Sequence, residues 1–223
     1  SEAGIQIWIA EGQGISIERI SQQLVLNQFE FDDATLTADD IIARASQGDE
    51  SNQSIWLSDA NPDGRWSIQG GEGNDEIIIN SSSLDSDDVF LGGAGNDTIR
   101  TQLGDDTLIG GFGDDQLTGG QGHDLYIFDG YFGNDQVFLQ SPKIANSSAT
   151  LQLKGVNKEQ LRFIKNSTAQ DLEIRITGQS DSIQLKNFWD KDVSDNGGHA
   201  DVTLVLDDGT RLSSKDILAQ GID

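Results

Sequence analysis

The chain contains few of the residues that cross-link small domains or interrupt their secondary structure. It has no cysteine and two prolines, and its 14 basic residues stand against 38 acidic ones. Without cysteine, neither disulfide bonds nor thiolate metal sites are available. The formal net charge of −24 excludes a nucleic-acid partner, because phosphates require Lys and Arg. No apolar run approaches the roughly 20 residues of a membrane-spanning helix.

Apolar residues are nevertheless frequent enough for a folded core. Four Trp and nine Phe accompany runs in which Ile, Leu and Val alternate with polar residues, and a disordered chain would lack this pattern. The excess of acidic residues therefore indicates carboxylates that bind cations. A bound metal ion can also replace the missing disulfides as a stabilising link.

Glycine is abundant, and much of it belongs to an internal repeat of nine residues with the pattern GGxGxDxUx, where U is a large apolar residue. Copies of this unit begin at Gly70, Ser83, Gly92, Thr101, Gly110, Gly119 and Gly130. Asp occupies position six in every copy, at Asp75, Asp88, Asp97, Asp106, Asp115, Asp124 and Asp135. Position eight is Ile77, Phe90, Ile99, Leu108, Leu117, Tyr126 and Val137. A flexible linker would not hold these offsets.

The spacing predicts a coil built from two nonapeptides. Glycines at positions one, two and four allow a tight turn with inward carbonyl oxygens, and the xUx triplet forms a short strand with one side chain inside. Units two apart then stack, which leaves a slot lined by oxygen atoms between successive turns. Edge one stacks the units that begin at Ser83, Thr101 and Gly119, and edge two stacks those that begin at Gly92, Gly110 and Gly130.

Hard oxygen ligands in a flexible cage favour Ca²⁺ over Zn²⁺. The predicted calcium ligands of the repeats are Gly70, Asp75, Asp88, Gly92, Gly93, Ala94, Gly95, Asn96, Asp97, Gly104, Asp106, Gly110, Gly111, Gly113, Asp115, Gly119, Gly120, Gly122, Asp124 and Asp135.

The stretch from Gly70 to Phe138 resembles the haemolysin-type, or RTX (repeats-in-toxin), calcium-binding repeats. The resemblance implies an all-β fold, a right-handed parallel β-roll with a row of Ca²⁺ ions along each edge. It also implies a toxin, adhesin, protease or epimerase exported by type I secretion. Two units depart from the pattern: the turn from Ser83 to Asp88 lacks the glycines, and Thr101 and Gln102 replace the first pair of another. These slots are expected to bind calcium weakly or through other oxygens.

A second candidate calcium site precedes the repeats. The segment DANPDG begins at Asp59 and matches the start of an EF-hand loop, with Asp59, Asn61 and Asp63 as candidate ligands. The glutamate expected at the twelfth position is absent, and Gly70 stands there. A plain Asn-Pro-Asp-Gly turn needs the same residues, so both interpretations stay open.

The segments on either side of the repeats match each other. Residues 1–43 look like a second copy of residues 181–219, each with strands, an acidic turn and a capped short helix. The fuller C-terminal copy has four alternating strand candidates between Leu161 and Thr210. It resembles the haemolysin-type calcium-binding-related domain that often follows RTX repeats, in Asn187–Trp189 and Asp208–Thr210. Such a block would cover an open solenoid end.

These observations predict three parts: an N-terminal flank at 1–50, a β-roll at 51–140 and a β-rich capping domain at 141–223. The matching flanks lead us to expect tandem roll-plus-cap units in the parent protein. The alternative is that residues 1–43 cap this roll directly, with Phe29 and Phe31 buried against its first coil.

The sequence offers no catalytic motif. Its two histidines, His123 and His199, lack metalloprotease spacing, and no GxSxG elbow occurs. We therefore expect a non-enzymatic, calcium-binding structural module of a larger secreted or cell-surface protein, with calcium and neighbouring domains as partners. The alternative is a calcium-dependent module that binds a glycan or a protein. In that case Phe188 and Trp189 would form a sugar platform instead of part of the core.

Overall fold

A computed structural model describes the larger part of the chain. The backbone is described for residues 6–9, 15–18, 29–30, 35–36, 47–49, 52, 54–57, 67–79, 86–140, 147–165, 170–189 and 200–220. Side chains are described in the same ranges from residue 52 onward, except at 56 and 57.

The described residues form short strands and little helix. The strands are β1 (Gln6–Ile9), β2 (Ile15–Glu18), β3 (Phe29–Glu30), β4 (Thr35–Leu36), β5 (Gln47–Asp49), β6 (Ser54–Leu57), β7 (Ser67–Glu72), β8 (Glu76–Ile79), β9 (Val89–Ala94), β10 (Thr98–Arg100), β11 (Thr107–Phe112), β12 (Gln116–Thr118), β13 (His123–Phe128), β14 (Asn134–Phe138), β15 (Ser148–Leu153), β16 (Leu161–Lys165), β17 (Leu172–Ile176), β18 (Ser182–Lys186), β19 (Val202–Leu206) and β20 (Arg211–Ser213). A 3-10 helix spans Lys158–Gln160, and helix α1 spans Ser214–Ala219.

Two eight-stranded sheets make up a β-solenoid. Sheet one has the order β5-β7-β9-β11-β13-β15-β19-β20, and sheet two has the order β6-β8-β10-β12-β14-β18-β17-β16. From β5 to β19 and from β6 to β18, neighbouring strands are parallel. Because consecutive repeat strands alternate between the sheets, each coil contributes one strand to each. The predicted β-roll is therefore confirmed.

The core of the roll is built from position eight of the repeats, as predicted. The seven side chains are exposed by at most 2 %, namely Ile77, Phe90, Ile99, Leu108, Leu117, Tyr126 and Val137. Burying an aliphatic or aromatic side chain contributes about 1.5–3 kcal/mol. This apolar column fixes the register of the turns on both edges.

The stacking of the two edges follows the prediction and extends it. Gly93 pairs with Gly111 on edge two, and Leu103 pairs with Gln121 on edge one. The Gly70 unit also belongs to edge two, since Gly71 pairs with Gly93. The insertion after Ile78 changes the phase of the sequence without removing this turn from its stack.

Strands from the C-terminal block continue both sheets past the predicted boundary at residue 140. All four strands expected between Leu161 and Thr210 are present as β16–β19. The sheets end in antiparallel pairs, β17 with β16 and β19 with β20. Antiparallel closure of this kind ends the stacking of parallel coils.

Helix α1 is the capped short helix expected in the C-terminal block, with Ser213 and Asp216 as its capping pair. The side chain of Ser213 accepts a hydrogen bond from the N–H of Asp216 at 3.3 Å, and Asp216 accepts one from the N–H of Ser213 at 3.0 Å. The corresponding pair Thr37 and Asp40, and the side chains of Phe29 and Phe31, lie outside the described residues. None of the described helices is long and apolar enough to cross a membrane.

Candidate metal centre

A ladder of aspartates runs along each edge. In each stack, one carboxylate oxygen of a position-six Asp accepts a hydrogen bond from the backbone N–H of the position-six Asp one coil earlier. The pairs are Asp75 N–H to Asp97, Asp88 N–H to Asp106, Asp97 N–H to Asp115, Asp106 N–H to Asp124 and Asp115 N–H to Asp135, at 2.8–3.2 Å. Oδ1 of each acceptor is thus committed to the turn before it.

The second oxygen of several of these carboxylates faces the interior without a protein donor. The seven position-six aspartates are exposed by only 1–4 %. Among the described residues, no group donates a hydrogen bond to Oδ2 of Asp97, Asp106, Asp115 or Asp135. A buried carboxylate oxygen without a donor is strongly destabilising unless a cation or a proton neutralises it.

The charge state of these groups reflects this environment. Burial raises the pKa of Asp97 and Asp106 to about 6, and that of Asp115 and Asp124 to about 7. Burial raises the pKa of Asp135 furthest, to about 9. In each case the charge of the stacked aspartate one coil earlier raises the pKa further. In these five carboxylates the charged form is therefore less favourable than in an exposed aspartate until a counter-charge is supplied.

The first glycine of each turn leaves room beside this oxygen. A methyl group on Gly92 would overlap Oδ2 of Asp97 and lie 2.5 Å from the carbonyl oxygen of Gly110. A methyl group on Gly70 would likewise overlap Asp75 and lie 2.6 Å from the carbonyl oxygen of Gly92. A carboxylate oxygen and a carbonyl oxygen of the next turn therefore converge on a space that any larger side chain would fill.

These oxygens fit a hard cation. The described residues contain no cluster of three His, Cys, Asp or Glu side chains, and the protein oxygen that converges with each carboxylate beside Gly70 and Gly92 is a backbone carbonyl. Carboxylate and carbonyl oxygens in a flexible cage suit Ca²⁺, whereas Zn²⁺ prefers nitrogen and sulfur. Glycine at position two, as at Gly93 with φ of 121°, gives the turn the curvature that brings these oxygens together.

Edge one supplies some of its own donors. The Ser86 hydroxyl donates to Oδ2 of Asp88 at 3.1 Å, and the Thr101 hydroxyl donates to the carbonyl oxygen of Gly119. The hydroxyl of Thr101 also lowers the pKa of Asp106, against the larger effect of burial. Both hydroxyls stand where the repeat has glycine, so these two turns contain hydrogen-bond donors that the glycine turns lack.

The predicted glycine ligands fall into two groups in the structure. The four first-position glycines Gly70, Gly92, Gly110 and Gly119 lie beside the carboxylate of their own turn. The second- and fourth-position glycines, Gly93, Gly95, Gly104, Gly111, Gly113, Gly120 and Gly122, pack on the backbone of the preceding turn. Ala94 lies in sheet one between Glu72 and Phe112. The candidate loop with Asp59, Asn61 and Asp63 lies outside the described residues.

Position five carries a second ladder that the repeat pattern did not predict. The side-chain oxygen of Asn74 accepts the N–H of Asn96 at 2.7 Å, and that of Asn96 accepts the N–H of Asp114 at 2.8 Å. The ladder reaches back to Asn52 and forward to Asn134. The recurrence of Asn and Asp at position five is the sequence feature from which this ladder could have been predicted. Asn96 therefore uses its side chain to join turns, on the exposed side of edge two.

Comparison with known families agrees with the geometry. Residues 67–78, 84–117 and 91–126 match the RTX calcium-binding nonapeptide repeat, in four copies. Calcium is accordingly the ion of these repeats. No curated protein matches the chain.

Proposed function

We propose that this chain, which carries RTX calcium-binding repeats, is a structural module of a larger exported protein, and that its roll folds when calcium enters the slots. The buried aspartate row is the observation that carries this proposal. The specific ligands are the position-six carboxylates and the carbonyl oxygens of the glycine turns.

The charge balance of the repeats supports coupling between metal binding and folding. Residues 70–138 contain 14 acidic residues and a single basic one, Arg100. Without cations these carboxylates repel one another, and the glycines favour an open chain. Binding free energy then becomes folding free energy, as in other small metal-dependent domains.

This behaviour suits type I export of a toxin, adhesin or exoenzyme. A chain that stays unfolded at low cytosolic calcium can pass through a narrow channel and fold outside, where calcium is millimolar. We therefore place the mature protein outside the cell or at its surface. The parts at 1–50, 51–140 and 141–223 remain our proposed division, with the last part continuing the two sheets and closing them.

The test is folding of the full chain with and without calcium. In EDTA the far-ultraviolet circular dichroism should show an unfolded roll, and millimolar calcium should restore strand signal. The calcium affinity should lie in the class of about 10⁻⁴–10⁻³ M typical of extracellular modules. Magnesium is the matched control and should act poorly, because it demands tighter octahedral geometry. Equal spectra and melting temperatures in EDTA and calcium would refute the proposal.

The alternative, a glycan-binding module, draws no support from the aromatic pair that suggested it. Phe188 is fully buried. Trp189 packs edge-to-face on it at 4.8 Å between ring centroids, and Lys165 Nζ lies 4.7 Å from the Trp189 ring centroid. Because protein groups already occupy the ring, we propose a structural role for the pair. Binding to a glycan array that requires calcium would reverse this choice.

A further inference from the structure

The strand that follows the last repeat turn on sheet two brings an additional aspartate to the end of edge two. β18 pairs in parallel with β14, with Ser182 opposite Asn134. The N–H of Ser182 donates to the carbonyl oxygen of Gly133 at 2.9 Å, and its hydroxyl donates to Oδ1 of Asn134 at 2.9 Å. Asp181, one residue earlier, is therefore held against the last turn, outside the repeat motif.

Asp181 is buried without a neutralising partner. It is exposed by 4 %, and no described group donates a hydrogen bond to its Oδ2. Its other oxygen meets the Ser180 hydroxyl at 3.4 Å, which is a weak contact. Two nearby arginines are otherwise engaged, Arg175 with Glu173 at 2.7 Å and Arg162 with backbone carbonyls.

Another aspartate in the same block, Asp171, is a buried carboxylate that a protein group neutralises. Asp171 is equally buried, at 4 % exposure. Its two oxygens accept from Lys186 Nζ at 2.5 Å and from the N–H of Asn187 at 3.1 Å. The C-terminal block thus neutralises one buried aspartate with a lysine, while Asp181 has no equivalent partner among the described residues.

Asp135 presents a second free oxygen at the same junction. Its Oδ1 accepts the N–H of Asp115 at 2.8 Å, and its Oδ2 has no donor in the described residues. In earlier turns of edge two, the corresponding Oδ2 lies beside a carbonyl of the next coil. For Asp135 the next coil is β18. The charge of Asp181 is among the causes that raise the pKa of Asp135, after burial and the charges of Asp115 and Asp114.

We propose that Asp135 and Asp181 together bind a calcium ion at the junction between the repeats and the C-terminal block. This site rests on the proposed calcium-dependent function, but it lies beyond residue 126, where the repeat match ends. Two buried carboxylates that repel each other become favourable once a divalent cation bridges them. The ion would make docking of the C-terminal block part of the calcium-dependent folding of edge two.

The test counts calcium ions on the full chain by native mass spectrometry at saturating calcium. Asp181→Asn keeps the size of the side chain and removes its charge, so this variant should carry one ion fewer than the wild type. Asp171→Asn is the matched control, because it removes an equally buried charge that pairs with Lys186. The control should lose stability and keep the wild-type number of ions.

Three outcomes separate the possibilities. A wild type without bound calcium would refute the proposed function itself. A wild type that binds calcium, with Asp181→Asn binding the same number of ions at the same midpoint, would overturn the junction site alone. If Asp181→Asn fails to fold at saturating calcium, Asp181→Glu decides: the proposal requires it to fold with the full number of ions, and misfolding of this variant would refute it.

Discussion

The two edges of the roll use the same nine-residue pattern but differ in the hydroxyl groups that reach their turns. Oδ2 of Asp97 and Asp115 on edge two has no described donor, and neither has Oδ2 of Asp106 on edge one. On edge one, the Ser86 hydroxyl donates to Asp88, and Thr101 bonds to a turn carbonyl. Loss of a glycine from the motif is thus accompanied by gain of a hydroxyl.

This difference indicates that the two edges depend on calcium to different degrees. A carboxylate that has a protein donor is less dependent on a cation than one that has none. We therefore expect edge two to set the calcium concentration at which the roll folds. Edge one should tolerate lower calcium, and it should bind its ions with less gain in stability.

The substitution with the largest expected effect places a methyl group in a slot on edge two. In Gly92→Ala, the new methyl group would overlap Asp97 and the Gly110 carbonyl oxygen. Overpacking of this kind costs about 1–3 kcal/mol, or roughly a 5- to 150-fold change in an equilibrium constant. The calcium midpoint, followed by circular dichroism, should rise accordingly.

The control for this experiment is Thr101→Ala on edge one, at the same repeat position. That edge already accommodates a larger side chain there, so the midpoint should change by about 2- to 13-fold at most, from loss of a hydrogen bond worth roughly 0.5–1.5 kcal/mol. A larger shift for Thr101→Ala than for Gly92→Ala would contradict the assigned difference between the edges.

A second test removes one carboxylate from the middle of each edge. Oδ2 of both carboxylates lacks a described donor, but the Thr101 hydroxyl lowers the pKa of Asp106, whereas no side-chain donor acts on the pKa of Asp115. Each loss of a charged ligand weakens calcium binding. We expect about a tenfold higher calcium midpoint for Asp115→Asn, equivalent to roughly 1.4 kcal/mol, and a smaller rise for Asp106→Asn.

The same series checks the stacking of the Gly70 unit. The two edges predicted from the sequence did not include the unit that begins at Gly70, because additional residues separate it from the unit that begins at Ser83. The structure stacks this turn on edge two, where the N–H of Asp75 donates to Asp97 at 2.8 Å. Asp75→Asn should therefore raise the midpoint measurably, and a midpoint equal to that of the wild type would argue against this stacking.

Much of this architecture could be predicted because it is periodic. A fixed offset between Asp115 and Leu117 in every unit forces one side chain into the turn and the other into the core, whatever the residues between them. The strand run from Leu161 to Thr210 and the cap at Ser213 rest on equally local signals. Structural features that depend on a repeated residue spacing can therefore be predicted from the sequence.

The missed features depend on contacts between distant segments. Asp181 resembles any other turn aspartate in sequence, and its significance comes from the parallel pairing of β18 with β14. The donors on edge one were equally hidden, since nothing local indicates that Thr101 reaches the carbonyl of Gly119 across a coil. The sequence predicted where the oxygen-lined slots lie. It could not show in which of them protein groups already donate hydrogen bonds to the slot oxygens.

A third test varies pH in the absence of metal. Burial raises the pKa of Asp115 to about 7 and of Asp135 to about 9, while an unfolded aspartate titrates near pH 3.9. Between about pH 4 and 9 the folded chain therefore binds more protons than the unfolded chain, and its stability falls as pH rises. In EDTA, strand signal should be greater at pH 5 than at pH 8.

Calcium should reverse the sign of this dependence. Protons and calcium compete for the same carboxylates, so the calcium midpoint should rise as the pH falls from 8 to 5. Asp135→Asn should reduce the pH dependence in EDTA, because it removes the group with the highest pKa on edge two. Identical circular dichroism in EDTA at both pH values would show that these carboxylates do not govern the metal-free state.

The smallest expected effect comes from restoring the repeat on edge one. Thr101→Gly removes the hydroxyl that donates to the Gly119 carbonyl, and so returns that oxygen to the slot. The metal-free chain should lose about 0.5–1.5 kcal/mol with this hydrogen bond, while calcium binding should strengthen by roughly twofold, about 0.4 kcal/mol. Titration with calcium and urea unfolding in EDTA at pH 5 measure the two quantities separately. Opposite signs are required, because a protein donor and a cation compete for one oxygen, and a loss in both measurements would show that Thr101 only supports the turn.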